Sequence, residues 1–375
     1  MYFQPYPFEK LNVLLGSVVP DEKLKPLALT IGEPQFETPK FIIETFKNSA
    51  HFLNKYPKIA GEQVLRDAQI DFVRRRFSVF LQPNELVTTM GTREALFNLP
   101  QFLLFDKPNP LIAYPNPFYQ IYEGAAIASR ARSVYLELKK ENDFKPRIDE
   151  GVLRKCDLVI LNSPSNPTAS VMSLDELKEW TALALKYNFI LINDECYSEI
   201  YCDKPPHSLL EASIEIGNKS FKNILVLNSV SKRSCAPSLR SGFAAGDSSL
   251  LMQYAKYRTY AGCAAGVPVQ FAAAKAWSDD LHTHETRLKY IKNFEIAKEI
   301  LGVDRSKATF YIWLEVDNDE EFAKKLYEKK NVKVLPGSYL GRESAGKGYV
   351  RIALVLEERD LGEALQRTAD FIKGR

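Results

Sequence analysis

At 375 residues the chain is longer than one minimal domain needs and suits a large domain joined to a smaller one. Its 45% apolar and 26% charged residues are the balance of a folded globular protein and exclude disordered and fibrous classes. Fifty basic against 47 acidic residues leave a net charge of +3 with no Lys/Arg block, which argues against nucleic acid and membrane surfaces as partners.

The opening MYFQPYPFEK has no charged leader followed by an apolar core, and no stretch approaches the length that spans a bilayer, so a cytoplasmic protein is expected. Short β-rich runs then alternate with amphipathic helical ones: LALTI at 27 to 31, ELVTT at 85 to 89, PLIAY at 110 to 114, DLVILN at 157 to 162, FILIN at 189 to 193 and NILVLN at 223 to 228. That alternation predicts an α/β fold around a mostly parallel, buried sheet. Thr38-Pro39 reads as the cap and first residue of a helix. Ser173 and Glu176 read as a capping box opening a helix that runs to about Tyr187. After about residue 265 the pattern becomes a long helix, then ATFYIWLEV, DEEFAKKLYEKK, VKVLP, YVRIALV and a final helix, the pattern of an α+β unit. The expected division is a large domain over 41–264 and a smaller one over 1–40 and 265–375. Five cysteines, odd in number and without paired spacings, read as reduced thiols.

Five stretches carry candidate chemistry, each at or after the carboxyl end of a predicted strand, where open α/β sheets place ligands. The first is Ser229-Val-Ser231-Lys232, with Arg240 eight residues beyond the lysine. A lysine at the end of a buried strand is costly to desolvate unless it pairs or forms a neutral imine, and the hydroxyls and guanidinium supply donors for a phosphate dianion. A lysine that simply reaches solvent reads this stretch equally well. The second is Asp194-Glu195-Cys196-Tyr197, whose carboxylate suits a protonated pyridine nitrogen and whose Tyr197 suits a ring oxygen; an acidic strand end is also commonplace. The third, Asn162 to Thr168, offers Asn166 to the same oxygen or is plain turn chemistry. In the fourth, Gly91-Thr92-Arg93, a strand gives way to a helix whose free amides bind phosphate; Arg93, disfavoured by the dipole there, faces an anion or solvent. The fifth, Pro117-Phe118-Tyr119, offers a ring for stacking or for the core.

Taken together and in order, Gly91-Thr92, Pro117-Phe118-Tyr119, Asn166-Pro167, Asp194 with Tyr197, Ser231-Lys232 and Arg240 resemble the class I/II aminotransferases. The resemblance implies fold type I, a three-layer α/β/α large domain beside a smaller α+β domain, with pyridoxal 5'-phosphate as cofactor. It implies that Lys232 carries the cofactor and shuttles a proton, that Asp194 holds the pyridinium, and that Asn166 and Tyr197 hold the ring oxygen. Gly91, Thr92, Ser229, Ser231 and Arg240 would cradle the phosphate, Tyr119 would stack on the ring, and Tyr56 would reach the phosphate of a neighbouring subunit in a homodimer. Arg351, helped by the Gly32 backbone, would clamp the carboxylate of amino-acid and 2-oxo-acid substrates. Longer strings, among them 4–11, 91–97, 116–124, 194–201 and 335–340, are similar to the N-succinyldiaminopimelate aminotransferases of lysine biosynthesis. Two positions depart from that pattern: Ala169 stands where Gly usually follows Asn-Pro-Thr, and Ala261 where a His is expected. Arg93 or Arg258 is a candidate for the substrate's outer anionic group.

Other readings are weaker. Gly341-Arg-Glu-Ser-Ala-Gly346-Lys347 has P-loop spacing, but Gly348 replaces the required hydroxyl and the segment leads into a strand. A regulator built on this domain would need an N-terminal DNA-binding module, for which the chain leaves no room. A carbon–sulfur lyase would share the core residues and lacks the longer strings. His282 and His284 have no matching ligand cluster and read as surface residues, so no metal site is expected.

Overall fold

The apolar runs that open the six expected strands become sheet because most are buried on both faces. In Leu158–Asn162 the side chains of Leu158 and Ile160 enter one core while Val159 and Leu161 enter the other. Such a strand needs no polar alternation, and each buried aliphatic side chain contributes about 1.5 to 3 kcal/mol. The structure, a computed structural model, describes residues 3–374; Met1, Tyr2 and Arg375, at the ends of the expected smaller unit, lie outside the described residues. Its main sheet has seven strands in the order Leu86–Thr89, Gly242–Gly246, Ile224–Ser229, Ile190–Asp194, Leu158–Asn162, Leu111–Asn116, Arg132–Glu137. All run parallel except Gly242–Gly246, which is antiparallel to both neighbours. This is the mostly parallel α/β fold the sequence predicts.

A three-stranded antiparallel sheet, Leu335–Pro336, Tyr349–Ala353 and Tyr311–Glu315, packs with the helices Asp319–Lys330 and Glu358–Lys373 around a separate core. The LALTI run belongs here rather than to the main sheet. Only Leu27–Ala28 is strand, paired with Val332–Lys333, and Leu29 extends the contact by donating to Lys333 O at 2.8 Å. The helix Pro7–Leu15 packs Leu11 and Leu15 on Leu335 and Leu340.

Two helical expectations are corrected. The box at Ser173 forms as read and opens the helix Leu174–Tyr187. Thr38, by contrast, caps nothing: the helix Lys40–Asn48 starts after Pro39, and the Thr38 hydroxyl donates to Cys235 O at 2.6 Å. The long helix after residue 265 is two, Val267–Ser278 and Leu281–Leu301. They part where Asp279 Oδ1 accepts the His282 amide at 2.9 Å, a side-chain bond that competes with continued helix. The first of the pair packs on Lys40–Asn48 and Gln63–Phe77 and places Ala272, Ala273 and Trp277 in the core of the main sheet; the second packs on Glu358–Lys373. No helix among the described residues is long and apolar enough to cross a membrane.

Candidate active site

The carboxyl ends of the central parallel strands open into a cleft of about 440 Å³, closed on its far side by Arg351, Tyr311 and Leu335 of the smaller sheet. Lys232 stands at its floor. The strand Ile224–Ser229 ends at Ser229, which caps the short helical turn Val230–Arg233 by accepting the Ser231 amide at 3.1 Å. That turn lifts Lys232 Nζ to donate to Gly32 O at 2.5 Å, with the Phe310 ring 5.8 Å away. Burial lowers the Lys232 pKa, and the charges of Arg351 and Arg93 push the same way against Cys196 and Glu33. A Cβ at Gly32 would overlap the Tyr311 hydroxyl, so only glycine lets that carbonyl approach the lysine.

Asp194 closes the neighbouring strand and is 2% exposed. Its Oδ2 accepts the Tyr122 hydroxyl at 3.0 Å and its Oδ1 the Cys196 amide at 3.3 Å. Burial raises its pKa against those bonds and the Lys232 charge. Asn162 braces this edge by donating to Asp194 O at 2.8 Å and accepting the Asn166 amide at 2.7 Å. Asn166 thereby meets Arg351, whose Nη1 donates to Asn166 Oδ1 at 2.8 Å and whose Nη2 donates to Thr30 O at 2.7 Å. The guanidinium lies 4.4 Å over the Tyr311 ring, and its buried Nε has no partner. The Tyr197 and Tyr311 hydroxyls share a hydrogen bond of 2.9 Å.

Across the cleft, Gly91 has φ +75° and precedes the helix Thr92–Leu104. A Cβ there would sit 2.5 Å from Arg240 Nη2. Arg240 is oriented by Pro237 O at 2.8 Å and Met90 O at 3.0 Å. Burial, then the charge of Arg93, lowers its pKa, so two guanidinium groups crowd one wall. Ser229 and Ser231 face that wall and share a hydroxyl bond of 2.9 Å. Arg93 Nε donates to Tyr119 Oη at 2.7 Å.

Of the residues singled out in the sequence, Gly32, Thr92, Tyr119, Asn166, Asp194, Tyr197, Ser229, Ser231, Lys232, Arg240 and Arg351 line this cleft, with Gly91 directly behind Arg240. Tyr56 does not; its side chain is fully exposed. Arg258 lies outside it, buried against Glu94 at 3.1 Å and donating to Cys263 O at 2.7 Å, so of the two arginines only Arg93 faces the cleft. His282 is not a surface residue: it is 5% exposed and bonded through both ring nitrogens, because its helix begins against the lysine turn; His284 is exposed. Sequence reasoning assigned no role to Tyr6, Tyr122 or Tyr311. Tyr6 and Tyr122 lie inside strings that carried the resemblance, Tyr122 acting from behind Asp194; Tyr311 sits in an apolar run that looks like core.

The donor set fits pyridoxal phosphate. A buried carboxylate with no cation bonded to it among the described residues suits a pyridinium, the Arg240 guanidinium beside serine hydroxyls and a helix start suits a phosphate, and the orphaned Arg351 Nε suits a substrate carboxylate. Comparison with known proteins agrees. Residues 25–367 match the family described as aminotransferase class I and II. The LL-diaminopimelate aminotransferase of Aquifex aeolicus is 31% identical over 97% of this chain and 95% of its own. Among solved structures, the aminotransferase AspB of Helicobacter pylori superposes with a TM-score of 0.97 at 52% identity, covering 100% of both chains. An aminotransferase of Neisseria meningitidis gives 0.94 at 40%, covering 98% of both.

Proposed function

The chain belongs to the class I and II aminotransferases, which use pyridoxal phosphate to act on small amino and oxo acids, and on that premise we propose that its substrates are N-succinyl-LL-2,6-diaminopimelate and 2-oxoglutarate. The products are N-succinyl-2-amino-6-oxopimelate and glutamate. The observation that carries this reading is that two arginines, Arg351 and Arg93, line the one cleft. Arg351, buried with a free Nε, meets the α-carboxylate, and Arg93 meets an outer carboxylate, which both substrates possess. The resemblance of the longer strings to the N-succinyldiaminopimelate aminotransferases supports it as well.

The bound cofactor supplies an electron sink for the pair left when a substrate loses its Cα proton. The protein does the rest. Lys232 would hold the cofactor until a substrate's amino group takes its place, and the freed Nζ would then remove and return that proton; the burial that lowers its pKa favours the neutral base. Asp194 keeps the ring nitrogen protonated, and Tyr122 and the Cys196 amide keep Asp194 in place. Asn166 and Tyr197 would hold the ring oxygen, with Asn166 also aligning Arg351. Gly91, Thr92, Ser229, Ser231 and Arg240 would take the phosphate, and Tyr119 would stack on the ring. In a homodimer the fully exposed Tyr56 reaches the phosphate site of the second copy. Five unpaired cysteines favour the cytoplasm.

A second reading, free LL-diaminopimelate as the donor, is favoured by the name of the Aquifex relative. Purified protein carrying the cofactor is mixed with N-succinyl-diaminopimelate, free LL-diaminopimelate or glutamate, and its visible spectrum followed. Rapid bleaching by the succinylated donor and by glutamate, lost in Lys232→Ala, supports the proposal. Bleaching by the free diamine but not its succinyl derivative replaces the substrate and keeps the enzyme class.

A further inference from the structure

The three residues after Lys232 are each fixed by a different part of the protein. Arg233, 1% exposed, donates to Ala276 O at 2.6 Å and to Asp279 O at 3.3 Å. Cys235 O accepts the Thr38 hydroxyl. Between them Ser234, fully buried, bonds through its hydroxyl to His282 Nε2 at 2.9 Å, and His282 Nδ1 lies 2.5 Å from Asp279 Oδ1. Nδ1 carries the ring proton and donates it to the Asp279 carboxylate, so Nε2 is the acceptor and Ser234 the donor. Burial and then the Arg233 charge lower the His282 pKa, which agrees with a neutral ring. The order Asp, His, Ser has the form of a hydrolytic triad, but the serine and histidine are buried and neither lines the cleft. What this chain of bonds reaches is the end of the lysine turn: Ser234 terminates Val230–Arg233, and its own amide donates to Val230 O at 3.0 Å.

We propose that His282, oriented by Asp279, is a positioning residue that acts through Ser234 to hold the turn carrying Lys232, and so sets where Nζ stands in the cleft. Lys232 has four rotatable side-chain bonds, and its reach depends on a turn only four residues long, too short to hold itself by its own hydrogen bonds. The support therefore comes from outside, and at Ser234 it comes from the start of the helix Leu281–Leu301. Loss of the Ser234 bond lets the turn relax, and a displacement of about 1 Å at a reacting atom costs on the order of a hundredfold in rate. The substrate's carboxylate site on Arg351 is untouched by this change.

The inference rests on Lys232 as the cofactor lysine, which is checked separately by the visible band of the wild type and its loss in Lys232→Ala. The test compares holoenzyme of the wild type with Ser234→Ala, His282→Leu and His282→Gln. The readouts are the midpoint of the pH titration of the visible band, kcat and KM with glutamate and 2-oxoglutarate, and the melting temperature. Ser234→Ala and His282→Leu are expected to lower kcat roughly ten- to a hundredfold with KM little changed, and to move the titration midpoint by about half a pH unit or more. His282→Gln, which can still accept from Ser234, recovers most of kcat. If His282→Leu fails to fold, Ser234→Ala, which removes one oxygen, carries the test alone. Variants that melt lower yet keep kcat and the titration midpoint, or that raise KM alone, overturn the proposal.

Discussion

Replacing Arg351 by lysine keeps the charge and removes the fork. In the protein the guanidinium spends Nη1 on Asn166 and Nη2 on Thr30 O, stacks 4.4 Å from the Tyr311 ring, and leaves a buried Nε unpaired. A carboxylate bound there gains Nε together with a second proton of one Nη, two charge-assisted bonds of about 1.5 to 3 kcal/mol each. A lysine ammonium supplies one such bond at best and no planar stack. The expected net loss is about 2 to 3 kcal/mol, roughly 30- to 150-fold in kcat/KM, shared by every amino donor and oxo acceptor because each presents the same α-carboxylate. Stopped-flow measurement of each half-reaction reads this directly. A Tm within a few degrees of wild type separates it from unfolding, since Thr30 O loses a partner and about 1 kcal/mol with it. If Arg351→Lys leaves kcat/KM within threefold for glutamate and 2-oxoglutarate alike, the carboxylate is not bound at Arg351, and the roles given to Asn166 and Gly32 as substrate residues fall with it.

Three further outcomes follow from the geometry. Arg93→Gln should raise KM for N-succinyl-diaminopimelate about tenfold while leaving KM for alanine, which has no outer carboxylate, within twofold; equal changes for both remove Arg93 from the outer subsite. Gly91→Ala forces a Cβ to 2.5 Å from Arg240 Nη2 at φ +75°, so cofactor affinity measured by titration of the apoprotein should fall at least tenfold, and an unchanged affinity would place the phosphate elsewhere. Glu195 is buried with Oε2 unpaired, and burial raises its pKa to about 8 from 4.5 against the bonds from Leu209, Ser208 and Asn193. A folded-state pKa above the unfolded one means that the native protein binds the extra proton, so stability is full below about pH 4.5 and declines through about pH 8. Glu195→Gln should remove that decline, on the order of several kcal/mol; a Tm profile over pH 5 to 9 that keeps its slope would show that Glu195 is ionised throughout.

What could be read from the chain depended on whether a residue's neighbours are local. DLVILN and FILIN are legible because burial on both faces demands uninterrupted apolar residues, and the chemistry-bearing Asn162 and Asp194 follow at once where each strand ends. Gly242–Gly246 carries no such signal. A Cβ at Gly242 would lie 2.6 Å from Asn228 O, so the close approach of the neighbouring strand demands glycine there, and Phe243 is the one large apolar side chain among the strand's five residues. Arg132–Glu137 is hidden for the opposite reason: at the sheet edge it exposes Arg132, Ser133 and Glu137, and its apolar run shrinks to Val134, Tyr135 and Leu136. LALTI reads as strand, and its first two residues are one, yet their partners are Val332 and Lys333, and nothing within five residues can say which sheet a strand joins. The same distance problem hid the site's second layer. Tyr122 meets Asp194 across 72 positions and Ser234 meets His282 across 48, while Tyr311 meets Tyr197 across 114. Each is a residue type that sequence alone assigns to core or surface. The residues that touch a bound group are announced by strand ends, but those that hold them in place are chosen by the fold.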